Sequence, residues 1–196
     1  DPVNASKITQ IAAAALCKSF NEFGIKSYIK WPNDIIVNNK KVCGILTEMD
    51  AELNQINYII LGVGINVNME KGSFPKEINN IASSLKIESG LHVNRQKLIS
   101  SILNNFEILY NEYLYKKNIS SSIKICKENS IILGREIKII KGNETLQGTA
   151  IDIDDEGVLT IAEDQLGELK VTATVSYEDG EETKNVIGES IVTVAP

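Results

Sequence analysis

A chain of 196 residues that is 43% hydrophobic and 23% charged has an ordinary globular composition, with length for one substantial core or a core plus a small companion. No apolar run reaches the roughly 18 residues that a membrane helix needs, and no basic stretch followed by an apolar core marks a signal peptide. The net charge of −6 is uneven: from Ile151 onward twelve acidic residues meet two lysines, −10, so the first 150 residues carry +4. That tail argues against non-specific nucleic-acid binding, the mildly basic body suits a small anionic ligand, and the contrast points to two folding units.

Asn4 is placed to cap a helix over residues 5–23 that Gly24 closes, with Ile8, Ile11, Ala12, Ala15, Leu16 and Phe20 on one buried face. Residues 26–31 alternate as a strand, which Pro32-Asn33-Asp34 interrupts because proline lacks the ladder donor. A short strand over 35–38, a tight turn at Asn38-Asn39-Lys40 and a strand over 42–49 make a hairpin. Residues 56–68 are nearly all apolar until Gly62, which predicts a central strand. Residues 71–90 read as loop. Asn94 caps a long helix to Lys116, with Leu98, Ile99, Ile102, Phe106, Leu109, Tyr113 and Leu114 on its buried side, and a short helix covers 120–127. From Gly134 the pattern is purely strand-like: 137–140, a turn at Gly142-Asn143, then 146–153, 158–161 and 169–177, as in a small β-barrel. Cys17, Cys43 and Cys126 lack metal-ligand spacing and read as reduced, mostly buried thiols of a cytoplasmic protein.

The chemistry concentrates in Lys30-Trp31-Pro32-Asn33-Asp34 and, one turn later, Lys41-Val42-Cys43-Gly44-Ile45-Leu46. Two lysines on consecutive strands of an apolar stretch favour an anion, because a buried or half-buried ammonium is costly without one. Read singly, each residue also has a bland account. Lys41 can be a solvated turn lysine beside Lys40, Lys30 a strand lysine facing water, and Asn33 and Asp34 turn formers. Trp31 reads as a core or hinge aromatic. Gly62 and Gly64 clear one face for a ligand or a neighbouring backbone, yet Gly-Val-Gly-Ile-Asn alone is a weak signal. Cys43 is a small packing residue, and the lone His92 is a surface residue. Asp152, Asp154, Asp155 and Glu156 lack the spacing of a calcium loop and read as a solvated turn.

The Lys30–Asp34 run with the Lys41 strand resembles the active-site hairpin of biotin–protein ligases. Gly62-Val63-Gly64-Ile65-Asn66 follows at the family's distance, and Ile81-Ala82-Ser83-Ser84-Leu85 resembles its short Ala-Thr-Ser-Leu segment. Lipoate ligases share the fold but lack the Trp-Pro step. The resemblance implies an α+β fold: a mixed sheet with helices packed on one face, of class II synthetase or biotin ligase type, then a small SH3-like barrel. The expected division is a catalytic unit over 1–132 and the barrel over 133–196. It further implies that ATP, with Mg²⁺, activates biotin to biotinyl-5′-AMP, which biotinylates a lysine of a biotin carboxyl carrier protein. In this role Lys41 bridges the biotin carboxylate and the α-phosphate, and Lys30 supports the phosphates. Asn33, Asp34 and Asn66 serve the nucleotide, Gly44 and Gly64 clear space, and no protein-held metal is implied. A homodimer is compatible, with no nucleic acid or membrane partner.

Two departures stand against it. The family's Gly-Arg-Gly-Arg-X-Gly loop has no counterpart in these residues, and the C-terminal Ser-Gly-Glu-Val-Ser-X-Arg is only echoed at Ile187-Gly188-Glu189-Ser190-Ile191, with Thr193 where the arginine belongs. Residues 169–182 look like an extra hairpin. The alternative is therefore a non-catalytic remnant or binding module of the same fold. If the chain is cut short at Asp1, its sheet should show an unpaired edge.

Overall fold

The computed structural model describes residues 4–52, 55–141, 144–163, 167–171, 176–179, 182–185 and 191–194. Helix α1 (Ala5–Glu22) is the spine of the body. Its run of alanines, 12–15, is buried together with Ile11, Leu16, Cys17 and Phe20, so sheet and helices approach it from several sides. It ends in a full Schellman motif: Gly24 at φ +72° donates to Asn21 O and Ile25 donates to Phe20 O. Asn4 holds the N-cap position, but its backbone is already helical and its side chain makes no capping bond.

Four strands follow: β1 (Tyr28–Lys30), β2 (Asp34–Val37), β3 (Lys40–Glu52) and β4 (Gln55–Ile65), paired antiparallel in chain order. Cys43, Ile45, Met49 and Ala51 point from β3 into the buried side, and the alternate positions face away from it. The predicted loop over 71–90 contains a short helix, α2 (Leu85–Ser89), whose Ser84 cap accepts from Ile87 N–H. Helix α3 (Arg95–Lys116) starts at Asn94, whose carboxamide accepts from Lys97 N–H. Ile99 and Leu114, expected on its buried side, are 55% and 40% exposed, while Asn105 is buried. Asn105 donates to Ser19 and Glu22 of α1, and the bond from the Ser101 hydroxyl, joined by that from Asn105, holds the Glu22 carboxyl below its ordinary pKa. Helix α4 (Ser120–Glu128) completes the body. The segment after it pairs along β1, with Ile29 N–H donating to Asn129 O and Ile131 N–H to Ile29 O.

Beyond Gly134 come β5 (Glu136–Lys141), β6 (Glu144–Ile153), β7 (Leu159–Glu163), β8 (Gly167–Val171), β9 (Ser176–Asp179), β10 (Glu182–Asn185) and β11 (Ile191–Val194). Five of them form an antiparallel sheet in the order β11-β5-β6-β7-β8, and no helix interrupts the described residues of this region. Strands β9 and β10 do not join it. They pair as a hairpin displaced from the one expected over 169–182, because the single strand expected over 169–177 divides into β8 and β9 in different sheets; β9 lies parallel to β3 at Met49 and Asp50, which makes the first sheet a mixed one. The Gly142-Asn143 turn and residues 187–190 of the C-terminal echo lie outside the described residues.

Strand β4 departs from its predicted central place. Among the described residues it pairs only with β3, and Tyr58, Ile60 and Val63 are 56%, 53% and 39% exposed. A continuous apolar run reads as buried on both faces, yet among the described residues it forms an edge.

Burial pushes the Cys17 thiol up to about 11 and the Cys43 thiol up to about 12, and raises that of Cys126 as well. Only a thiolate is a strong nucleophile, so these sulfurs are protonated as well as shielded at pH 8. The native protein should therefore leave Ellman's reagent unconsumed over minutes, and release all three thiols on unfolding in guanidinium. A fast-reacting thiol in the native state would contradict the packing around α1.

Candidate functional site

The hairpin places its chemistry through register. After β1 the chain turns at Trp31, Pro32 (cis to Trp31) and Asn33, and re-enters the sheet as β2. Lys30 pairs with Asp34, Asp34 with Gly44, and Gly44 with Gly64, so these four residues form one row across four strands on the face away from α1. Asn38 and Asn39 both have positive φ, +48° and +63°, in the two-residue connection between β2 and β3. Lys40, expected in this turn, is already in the strand.

Lys41 and Gly44, three residues apart, would point to opposite faces of a regular strand. A register shift between Ile35 and Ile36 leaves Val42 as the extra residue of a bulge, and both positions then share one face. The Lys41 Nζ lies 2.5 Å from Asp34 Oδ1. A Cβ on Gly44 would sit 3.1 Å from Lys41 Cε and 3.2 Å from its Nζ, so the glycine leaves the room that the lysine head occupies. The Lys41 backbone is held from its other side, its N–H donating to Ile81 O and its carbonyl accepting from Ser83 N–H. This is the segment that the sequence singled out by resemblance, and α2 anchors it.

The lysine is not desolvated as the sequence argument assumed. The Lys41 side chain is 47% exposed and that of Asp34 19%, a pair worth little to stability. Its effect is to aim the ammonium. Lys40 reaches the other way, to Asn79 O at 3.4 Å. Lys30 is half-buried, with no ion-pair partner among the described residues. Asn33 acts as a brace: its amide donates to Ile45 O and its carbonyl accepts from Ile45 N–H, which ties the turn to β3. Asn66, just past β4, is fixed by its backbone between Val42 O and Leu85 N–H, and its carboxamide makes no hydrogen bond among the described residues. Cys43 faces the core behind the row.

Away from the cations the same face continues over Gly62 and Gly64, where an added Cβ would meet little, to Leu46 (61% exposed), Ile60 and Tyr58. The result is a shelf with two ammonium groups and a carboxylate at one end, bare backbone in the middle, and beyond it Leu46, Ile60 and Tyr58 interleaved with Glu48 and Asp50. It suits a ligand with an anionic end and a flat or apolar body. Among the described residues no cluster of three or more His, Cys, Asp or Glu could hold a metal ion. Sequence reasoning missed the bulge, the Lys41–Asp34 pair and the strand-like partner at Ala82. The bulge leaves no compositional trace.

Residues 3–66 match the model of the biotin/lipoate A/B protein ligase family, and residues 132–169 that of the biotin protein ligase C-terminal domain. The chain is 40% identical over 157 residues to the bifunctional ligase/repressor BirA of Bacillus subtilis, covering 79% of this chain and 48% of that protein. It is 27% identical over 135 residues to a biotin–[acetyl-CoA-carboxylase] ligase of Mycobacterium tuberculosis, covering 68% and 46%. The chain thus spans about half the length of the curated relatives it matches. Among solved structures, the Aquifex aeolicus biotin protein ligase in complex with biotin and ATP superposes with a TM-score of 0.76 at 21% identity, covering 96% of this chain and 72% of that one. That likeness shows the α+β body and the small C-terminal sheet to be the expected fold.

The turn that sets the register is open to a stability test. A β-branched side chain is strained at positive φ, by roughly 1–2 kcal/mol. Asn39→Val should cost about that much in urea unfolding, whereas Asn39→Gly should be neutral or slightly stabilising.

Proposed function

We propose that this chain, a member of the biotin protein ligase family, carries the lysine-bearing half of a site that activates biotin with ATP and passes it to a protein lysine. The carrying observation is the bulge-dependent placement of Lys41 over Gly44 and beside Asp34, in line with Lys30. Biotin's carboxylate attacks the α-phosphate of ATP, forming the acyl–phosphate bond of biotinyl-5′-AMP and expelling pyrophosphate. The ε-amine of a lysine on a biotin carboxyl carrier protein then attacks the acyl carbon and releases AMP.

Each residue has a physical task in this reading. Two anions must meet before the first bond forms, and the Lys41 ammonium offsets their repulsion and stabilises the charge growing on phosphorus. Asp34 holds that ammonium in place until the anions arrive and compete for it. Lys30, one strand over, supports the phosphates. Gly44 and Gly64 keep the shelf low enough for substrate to lie against the backbone, with Leu46 the apolar side chain next to them for the uncharged part of biotin. Asn66 offers a free carboxamide near Lys41, while Asn33 acts through the backbone brace. Mg²⁺ fits as a companion of the nucleotide, held mainly by phosphate oxygens and neutralising their charge, with Asp34 the one carboxylate on the row. The same reading divides the chain into a catalytic unit over 1–132 and a C-terminal unit over 133–196, with β9 and β10 reaching back to the first sheet. It takes the protein to be cytoplasmic, with a possible homodimer.

Lys41→Ala, in an enzyme containing this segment, should slow biotinyl-adenylate formation by about 10² to 10³, the loss typical of one preorganised charge-stabilising group, with little change in ATP affinity. Supplied with pre-made biotinyl-adenylate, the same variant should transfer biotin at a rate much closer to the unsubstituted enzyme. Lys40→Ala should change little in either assay. Equal effects of the two substitutions in single-turnover adenylation would reduce Lys41 to a solvated strand residue and leave a binding module as the better account.

A further inference from the structure

The acidic run of the C-terminal unit is a turn whose carboxylates stay largely in water, Glu156 67% and Asp152 51% exposed, but whose backbone is seated in the body. Between β6 and β7 it closes into a compact loop in which Asp154 Oδ1 accepts from Glu156 N–H at 2.9 Å and Val158 N–H at 3.0 Å, and Gly157 N–H donates to Asp154 O. This loop is seated in the body. The indole N–H of Trp31, a residue 1% exposed, donates to Gly157 O at 3.3 Å across 126 positions of sequence. On one side Lys7 of α1, its side chain only 9% exposed, pairs with Glu156 at 2.5 Å. On the other Lys127 of α4 pairs with Asp152 at 2.7 Å. Gly157 is buried at φ +83°, and an added Cβ would lie 3.3 Å from Gln10 Cγ. Gln10 itself is 1% exposed, and neither polar atom of its amide has a partner among the described residues, so the seat is closely packed around Gly157.

Trp31 stands between Lys30 and the Pro32-Asn33-Asp34 turn. We propose that the Asp154–Val158 loop is a positioning element for the hairpin: by gripping Trp31 it fixes where Lys30 and Asp34 stand relative to Lys41. Trp31 and Gly157 are therefore positioning residues, acting on the reaction through the lysines. The acidic charge of the loop serves this seat, since α1 and α4 present it with lysines. The catalytic meaning of the proposal rests on the function proposed above, whereas the mechanical coupling does not.

The test uses the full chain without ligand. Trp31→Phe keeps an aromatic ring but removes the N–H donor and part of the indole's volume, Glu156→Gln removes the charged partner of Lys7, and Gly157→Ala forces a side chain against Gln10. Ile139→Val, which thins the β5 packing far from the loop, controls for general loss of stability. Amide hydrogen exchange over residues 28–45 should quicken by roughly five- to thirty-fold in the three loop-seat variants, the range expected for one buried hydrogen bond or ion partner. It should stay near the unsubstituted level in Ile139→Val. The sole tryptophan reports the same event, and its emission should shift to the red in Glu156→Gln and Gly157→Ala. Unchanged exchange in Trp31→Phe and Glu156→Gln, or an equal rise in Ile139→Val, would overturn the proposal; those two variants keep the test open should Gly157→Ala not fold. In an enzyme containing this segment, Trp31→Phe should lower kcat for adenylate formation while leaving KM for ATP within about twofold. Faster hairpin exchange with no effect on adenylation would keep the coupling and count against the function assigned to the hairpin.

Discussion

Everything the site can do follows from one strand register. A β-strand alternates its side chains, so a slip of one residue sends every group on it to the other face. Here the β2–β3 pairing meets a demand that a regular hairpin cannot: Lys41 and Gly44 share a face although they stand three positions apart. The unpaired Val42 resolves the conflict, and the two asparagines at positive φ fix where the pairing begins. With the bulge in place, the Lys41 head lies over the one position on β3 that has no side chain, within reach of a carboxylate on β2.

Around this register the fold works as a set of restraints on short, otherwise mobile pieces. Strands β1 and β2 have three and four residues, too few to be stable as an isolated pair. The Asn129–Ile131 segment lines β1, the Asn33 amide ties the turn to β3, and Ile81 and Ser83 clamp the Lys41 backbone. Helix α1 supplies the common floor: its alanines let the sheet, α3 and α4 settle against it, and the apolar side chains of the C-terminal sheet join the same continuous core. The body and the C-terminal sheet thus share one core even though the sequence pattern changes sharply at Gly134.

Charge is used for placement more than for stability. The Lys41–Asp34 pair is half in water, where such pairs contribute little, yet it holds a flexible side chain in one direction. The pairs Lys7–Glu156 and Lys127–Asp152 do the same between the helices and the β6–β7 turn. The uneven charge of the chain, a basic body and an acidic tail, is in part the signature of that docking.

Local chemistry made several features legible in the sequence alone. Helical periodicity and the Asn94 and Gly24 signals set α1 and α3 almost to the residue, because a cap and a C′ glycine act within one turn of themselves. The switch to period-two patterning located the C-terminal sheet for the same reason. The lysines, Asp34 and the glycines were found as candidates because their types and spacing resemble a known hairpin. What periodicity cannot carry is the identity of a neighbour. It reports that a residue is buried or exposed on average, so the apolar run of β4 read as a central strand and among the described residues became an edge, and the acidic run, whose carboxylates do stay largely in water, gave no sign that its backbone seats on Trp31. The bulge at Val42, the parallel pairing of β9 with β3 and the grip of Gly157 on Trp31 are contacts between distant segments. Only the closed tertiary structure decides them, because each depends on where another part of the chain has already come to rest.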